Sequence, residues 1–134
     1  MPKRIDHVAI IVRNIEQALV FYRDTLGIEP SEIKDVPTEQ VRIAFLPMGG
    51  PGGSEIELIE PTTPNSSLTK FLEKRGEGLH HVALRVPDLN AAVERLRAAG
   101  ARLLNEPRAG AGGHLYVFVH PASTGGVLLE LIQE

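Results

Sequence analysis

The chain repeats itself once, and that duplication restricts its fold more than any other feature. Residues 7–19 read His-Val-Ala-Ile-Ile-Val-Arg-Asn-Ile-Glu-Gln-Ala-Leu and residues 81–93 read His-Val-Ala-Leu-Arg-Val-Pro-Asp-Leu-Asn-Ala-Ala-Val, an offset of 74. A repeat of this kind is one supersecondary unit used twice. The whole chain has 134 residues, too few for two independent globular cores, so both copies have to share one fold. We therefore expect a single domain over 1–134, with module one at 1–60, a linker carrying a short helix at 61–78, and module two at 79–134.

Each copy carries the same punctuation. A β-rich run ends at Asn14 or Asp88, whose short side chains can accept from the free amides of a helix start. Gln17 adds a capping-box pattern to the first. Apolar residues then recur at helical spacing, Ile15, Ala18, Leu19, Tyr22 and Leu26 in copy one and Leu89, Ala92, Val93, Leu96 and Ala99 in copy two, with Gly27 and Gly100 as stops. Strands at 41–46 and 115–120 close on Pro47 and Pro121. Glycine-rich turns at 49–53 and 125–126 lead to final strands at 55–60 and 127–132, which makes Glu57 and Glu130 equivalent at an offset of 73. The reading is α+β, two tandem βαβββ modules. Leu68, Phe71 and Leu72 share one face of a short helix in the linker.

Charge and composition narrow the function. The net charge is -3 with acids and bases interspersed, which leaves no electrostatic footprint for nucleic acid. Without cysteine there is no disulfide, thiolate metal site or sulfur nucleophile, so any metal has to be held by nitrogen and oxygen. Met1-Pro2-Lys3-Arg4 leads into a strand-like stretch, and no run reaches the roughly 18 apolar residues of a membrane span. A cytoplasmic location is expected, with no membrane partner.

One His and one Glu recur per module: His7 and Glu57, His81 and Glu130. Taken singly, each is better read as a core or strand-face residue; the duplicated pair reverses that reading. A glutamate in Val-Leu-Leu-Glu-Leu-Ile is costly to bury without a partner. A divalent cation where the first and last strands of the modules converge would satisfy both imidazoles and both carboxylates. Co²⁺ is the first choice, with Mn²⁺, Ni²⁺ or Zn²⁺ as alternatives. Alternation puts His7 on the face of Ile5 and Ala9, and Glu130 on the face of Leu128 and Ile132; Ala9 and Ala83 leave room beside the histidines. His80 points away from the face of His81, and His114 and His120 have no counterpart in copy one.

The segments Asp6-His7-Val8-Ala9, Glu57 to Pro61, Gly76 to Ala83, Gly110 to Gly113 and His120 to Leu131 together resemble the methylmalonyl-CoA epimerase family of the vicinal oxygen chelate superfamily, over nearly the whole chain. The resemblance implies a glyoxalase-like fold whose curved sheet encloses a metal cleft, with His7, Glu57, His81 and Glu130 on the metal. It implies an isomerase that epimerises (2R)- and (2S)-methylmalonyl-CoA through a metal-stabilised enolate, a homodimer acting on a small acyl-CoA substrate. Glu130 is the expected catalytic base on one side and Glu57 on the other; some members of the family use an acid on the strand equivalent to 41–46, where this chain has Arg42. Lys70, Lys74, Arg75 and Arg108 are candidates for coenzyme A phosphates. The chain departs from the usual pattern in lacking a glycine between Gln40 and Val41, in Ala122 after His-Pro, and in a longer 48–54 segment.

Three other activities use the same fold. A glyoxalase I-type lactoylglutathione lyase shares the four-ligand set. An extradiol dioxygenase needs two His and one carboxylate, against which Glu57 argues. A non-catalytic small-molecule binding protein would hold no tight metal.

Overall fold

The structure, a computed structural model, describes residues 1–110 and 112–134; Ala111, inside the Gly110–Gly113 run expected to turn the chain or cradle a ligand, lies outside the described residues. The elements run β1 (Arg4–Ile11), α1 (Ile15–Leu19), β2 (Glu32–Val36), β3 (Val41–Pro47), β4 (Glu55–Pro61), α2 (Ser67–Arg75), β5 (Gly78–Val86), α3 (Leu89–Ala98), β6 (Arg108–Ala109), β7 (Leu115–Val119) and β8 (Leu129–Gln133). Strand, helix and three strands occur twice, with α2 between them. The fold is α+β, in the βαβββ order that the repeat predicts.

By internal contacts the chain divides into two compact units, Val8–His80, and Met1–His7 together with His81–Glu134. In the first, β2 pairs with β3 and β3 with β4, both antiparallel, and the Val8–Ile11 half of β1 is next in order. Alternation gives this sheet two apolar faces. Ala44, Leu46 and Leu58 pack with Val12, Ile15 and Leu19 around α1, while Ala9, Val41, Ile43 and Ile59 form a second cluster with Leu68 of α2. Glu57 belongs by parity to the second face, opposite Phe45 on β3.

In the other unit, β5 pairs with β8 in parallel, β8 with β7 antiparallel and β7 with β6 antiparallel. Val86, Val117 and Leu131 pack with Leu89 and Val93 of α3, which leaves the opposite face of β5 and β8 to His81, Ala83 and Glu130.

The helix starts obey the capping rule in both copies. Asn14 accepts from the Gln17 amide at 2.9 Å and Asp88 from the Ala91 amide at 3.1 Å. A second device also repeats: Glu60 on β4 accepts from the Ile15 amide at 2.9 Å, and Gln133 on β8 accepts from the Leu89 amide at 2.7 Å. The last strand of each module thereby holds the first turn of that module's helix, satisfying an amide with no partner inside the helix.

Three local expectations change. The first helix is α only to Leu19 and continues over Val20–Thr25 with π-type geometry. The wider turn keeps Tyr22 against the core but carries Leu26 out to 54% exposure, away from the face its spacing suggests. The last strand starts at Leu129, because Val127 is tied into a turn by its amide to Thr124 Oγ1 at 3.1 Å. The missing glycine after Gln40 is compensated by Gln40 itself, which adopts a left-handed backbone, φ 58°. In the β3–β4 turn glycine is obligatory at Gly53, where a Cβ would lie 2.0 Å from the Met48 carbonyl oxygen. Among the described residues, no helix is long and apolar enough to cross a membrane.

Leu19 is 1% exposed beneath α1, whereas the next residue, Val20, is 59% exposed. Leu19→Ala should lower unfolding free energy by about 2–5 kcal/mol in urea titration, whereas Val20→Ala should change it by roughly 0.5 kcal/mol or less. Equal losses would show that α1 does not pack as described.

Candidate metal centre

His7 on β1, His81 on β5 and Glu130 on β8 come together within one unit, Met1–His7 with His81–Glu134. Their Nε2, Nε2 and Oε1 atoms are 3.2 Å (His7 to His81), 3.4 Å (His7 to Glu130) and 3.1 Å (His81 to Glu130) apart. All three residues are buried, at 5, 6 and 8% exposure.

Local sequence explains the convergence. The parallel β5–β8 register sets Glu130 beside Ala83, two residues on from His81. Ala83 is wholly buried, so a methyl group fills the position where a larger side chain would crowd the carboxylate. Phe118, opposite Glu130 on β7, closes one side and meets the His81 ring edge-to-face at 5.2 Å between centroids.

Burial by itself raises the Glu130 pKa, but hydrogen bonds from His7 and His81, with their charge, outweigh it and hold the carboxyl down at about 2. The group is therefore an acceptor-only carboxylate at neutral pH. Asp6 behaves alike: burial pushes it up, and its bonds to His7 and Arg85 bring it down to about 2. Asp6 Oδ2 lies 2.8 Å from His7 Nδ1, and an ionised carboxylate can only accept. Nδ1 of His7 then donates to Asp6, which leaves Nε2 turned toward His81 Nε2 and Glu130 Oε1.

This donor set fits a cation. Donors each about 2.0–2.2 Å from a shared ion stand about 2.8–3.1 Å from their neighbours in octahedral and about 3.3–3.6 Å in tetrahedral arrangement, and the separations here, 3.1, 3.2 and 3.4 Å, lie within the span of the two. Two imidazole nitrogens and a carboxylate oxygen suit a borderline divalent metal.

The fourth residue of the expected set, Glu57, is carried by the Val8–His80 unit, half-buried on β4. His80 turns to the face opposite His81 and packs edge-on against Phe71 of α2, 4.9 Å between centroids. His120 caps the turn at Pro121–Ser123 by accepting from the Ala122 amide at 2.9 Å, and His114 is exposed in a glycine-rich turn. Lys70, Lys74 and Arg75 are exposed on α2, with Arg75 over the Phe71 ring at 5.3 Å. Arg108 lies on β6, bonded to the Tyr116 hydroxyl at 2.8 Å. Arg42 pairs with Glu16 at 2.7 Å. Sequence reasoning missed Asp6 and Arg85 as members of the cluster; the adjacent Asp6-His7 pair was a signal, but nothing in the pattern coupled residue 6 to residue 85.

A family model described as glyoxalase/bleomycin resistance protein/dioxygenase superfamily matches residues 6–118. An ethylmalonyl-CoA/methylmalonyl-CoA epimerase of Cereibacter sphaeroides is 41% identical over 133 residues, 97% of either chain. The mitochondrial methylmalonyl-CoA epimerase of Mus musculus is 39% identical over 132 residues, 97% of this chain and 72% of the mouse protein. The solved structure of a Streptomyces coelicolor methylmalonyl-CoA epimerase variant in complex with 2-nitronate-propionyl-CoA superposes with a TM-score of 0.91 at 36% identity, covering 100% of this chain and 99% of that one.

The folded Glu130 carboxyl titrates below its ordinary value of 4.5, at about 2, so its contribution to stability is present above pH 4.5 and lost as pH falls toward 2. Metal-free protein should lose unfolding free energy across that window, and Glu130→Gln, which cannot titrate, should give a flatter profile in denaturant titrations at successive pH values. An identical slope in the variant would assign the acid sensitivity elsewhere.

Proposed function

The chain belongs to the methylmalonyl-CoA epimerase family of the glyoxalase/bleomycin resistance protein/dioxygenase superfamily, and from that membership we propose that it is a metal-dependent isomerase interconverting (2R)- and (2S)-methylmalonyl-CoA. The observation that carries the reading is the convergence of His7 Nε2, His81 Nε2 and Glu130 Oε1 in a chain alike over its full length to epimerases. That full-length likeness sets the lactoylglutathione lyase and the non-catalytic binding protein behind.

His7, His81 and Glu130 hold the cation, with Glu57 as the fourth ligand. Two features support Glu57: it shares its sheet face with Ile59, in the cluster that includes Ala9, and alternation along β1 puts His7 on the face of Ala9. When bound, the cation supplies a Lewis acid that stabilises negative charge on the substrate's oxygens. Co²⁺ is our first choice and Mn²⁺, Ni²⁺ and Zn²⁺ are the alternatives.

Epimerisation moves one proton. The C2–H bond breaks toward a carboxylate on one face, its electron pair passes into the thioester carbonyl, and a proton returns to C2 from the other face. Glu130, ionised at neutral pH, takes the proton on its side. Glu57 serves the opposite side: β3 presents Ile43 rather than an acid on that face, and Arg42 is engaged with Glu16. Lys70, Lys74, Arg75 and Arg108 are available to coenzyme A phosphates. The reading takes the enzyme as cytoplasmic, in keeping with a cysteine-free chain, and as a homodimer, to which exposed apolar residues such as Phe21 and Leu79 would contribute.

Metal-loaded protein incubated with either epimer in D₂O should incorporate deuterium at C2 with loss of stereochemical purity, and chelation should stop both. Glu130→Ala should slow exchange by about 100-fold or more. Glu57→Gln, which keeps an oxygen ligand, should still exchange one epimer without inverting it. No exchange by folded, metal-loaded protein would sink the epimerase reading; inversion by the Glu57 variant at the wild-type rate would remove Glu57 as a base.

A further inference from the structure

We propose that Asp6, held by Arg85, is the positioning residue for His7, fixing its imidazole in the tautomer whose Nε2 faces His81 and Glu130. The inference deepens the metal reading above and concerns two residues outside the ligand set.

Both oxygens of Asp6 are committed. Oδ2 meets His7 Nδ1 at 2.8 Å, and Oδ1 accepts from Arg85 Nε at 2.8 Å, with Arg4 Nη1 at 3.7 Å from the same oxygen. Arg85 is itself anchored, since Nη1 donates to the Gln133 carbonyl of β8 at 2.6 Å. A carboxylate on a single bond is free to swing; a planar guanidinium that grips one oxygen while pinned to the sheet backbone aims the other oxygen at the ring. The side chains of Asp6 and Arg85 are only 12 and 15% exposed, so water and salt screen the pair little.

The repeat adds an independent argument. At the offset of 74, position 6 corresponds to His80 and position 85 to Ile11. Ile11 is wholly buried and apolar, and His80 packs on Phe71. Asp6 and Arg85 are thus paired departures from the duplicated pattern, one in each copy, and they meet side chain to side chain. An acid or a base introduced alone at either half-buried position would lack its partner. Together they give His7 a carboxylate support that position 80 does not give His81.

A metal-ligating histidine held by a carboxylate on its other nitrogen keeps the right tautomer without selecting it at each binding event, and loss of such a support typically weakens metal affinity about 10–100-fold. Calorimetric titration of metal-free protein with Co²⁺, alongside ¹⁵N NMR of the imidazoles without metal at about pH 8, above the histidine range, tests the proposal. Wild-type His7 should carry its proton on Nδ1. In the double variant Asp6→Ala/Arg85→Met, which removes both charges so that neither is buried alone, His7 should show mixed tautomers and Co²⁺ affinity should fall by about 10–100-fold. Arg85→Lys, keeping charge without the fork, should restore part of the affinity relative to Arg85→Met. If the double variant fails to fold, Asp6→Asn replaces it and should weaken Co²⁺ binding in the same direction. Unchanged His7 tautomer in a folded double variant, or Co²⁺ affinity equal to wild type in either Asp6 variant, overturns the proposal. Failure of the wild type to bind Co²⁺ would instead sink the metal reading, while the tautomer comparison still decides the role of Asp6.

Discussion

Glu130 is a carboxylate 8% exposed between Leu129 and Leu131 on β8, and a charge in that position is tolerable only if other groups compensate it. The two imidazoles within 3.4 Å supply that compensation, and much of the surrounding unit serves to keep them there. Ala83 yields space, Phe118 excludes water from one side, and α3 occupies the other sheet face so that the polar side chains have a face to themselves. The same interaction that makes the carboxylate tolerable makes the cluster useful, because donors spaced for one another through a shared proton are also spaced for a shared cation.

Duplication explains the economy of this arrangement. Each module repeats the capped helix start and the strand that bonds to its first turn, down to the equivalence of Glu60 with Gln133. The offset of 74 that aligns the helix starts Asn14 and Asp88 also aligns His7 with His81, so the scaffold delivers two imidazoles without separate invention. The copies also differ near the histidines, with Asp6 against His80 and Arg85 against Ile11.

Strand β3 carries no acid. Ile43 packs into an apolar cluster with Ala9 and Ile59, and Arg42, on the other face, is tied to Glu16 of α1. No described residue of that strand offers a carboxylate.

The sequence by itself determined the modular plan, the helix starts at Asn14 and Asp88, and the selection of His81 over His80, because repeat offset, capping chemistry and strand parity are local or periodic properties that a linear reading can follow. It also singled out His7, His81 and Glu130, whose side chains lie together in the structure. Tertiary structure decided what depends on groups far apart in the chain: the Arg85 to Asp6 pair, 79 residues apart, and the register that puts Ala83 beside Glu130. It also decided the π-type continuation of α1, which exposes Leu26, and the left-handed backbone of Gln40, which ends the turn at Pro37–Glu39. Periodicity specifies which face a side chain takes; only the folded sheet specifies which other side chains it meets on that face.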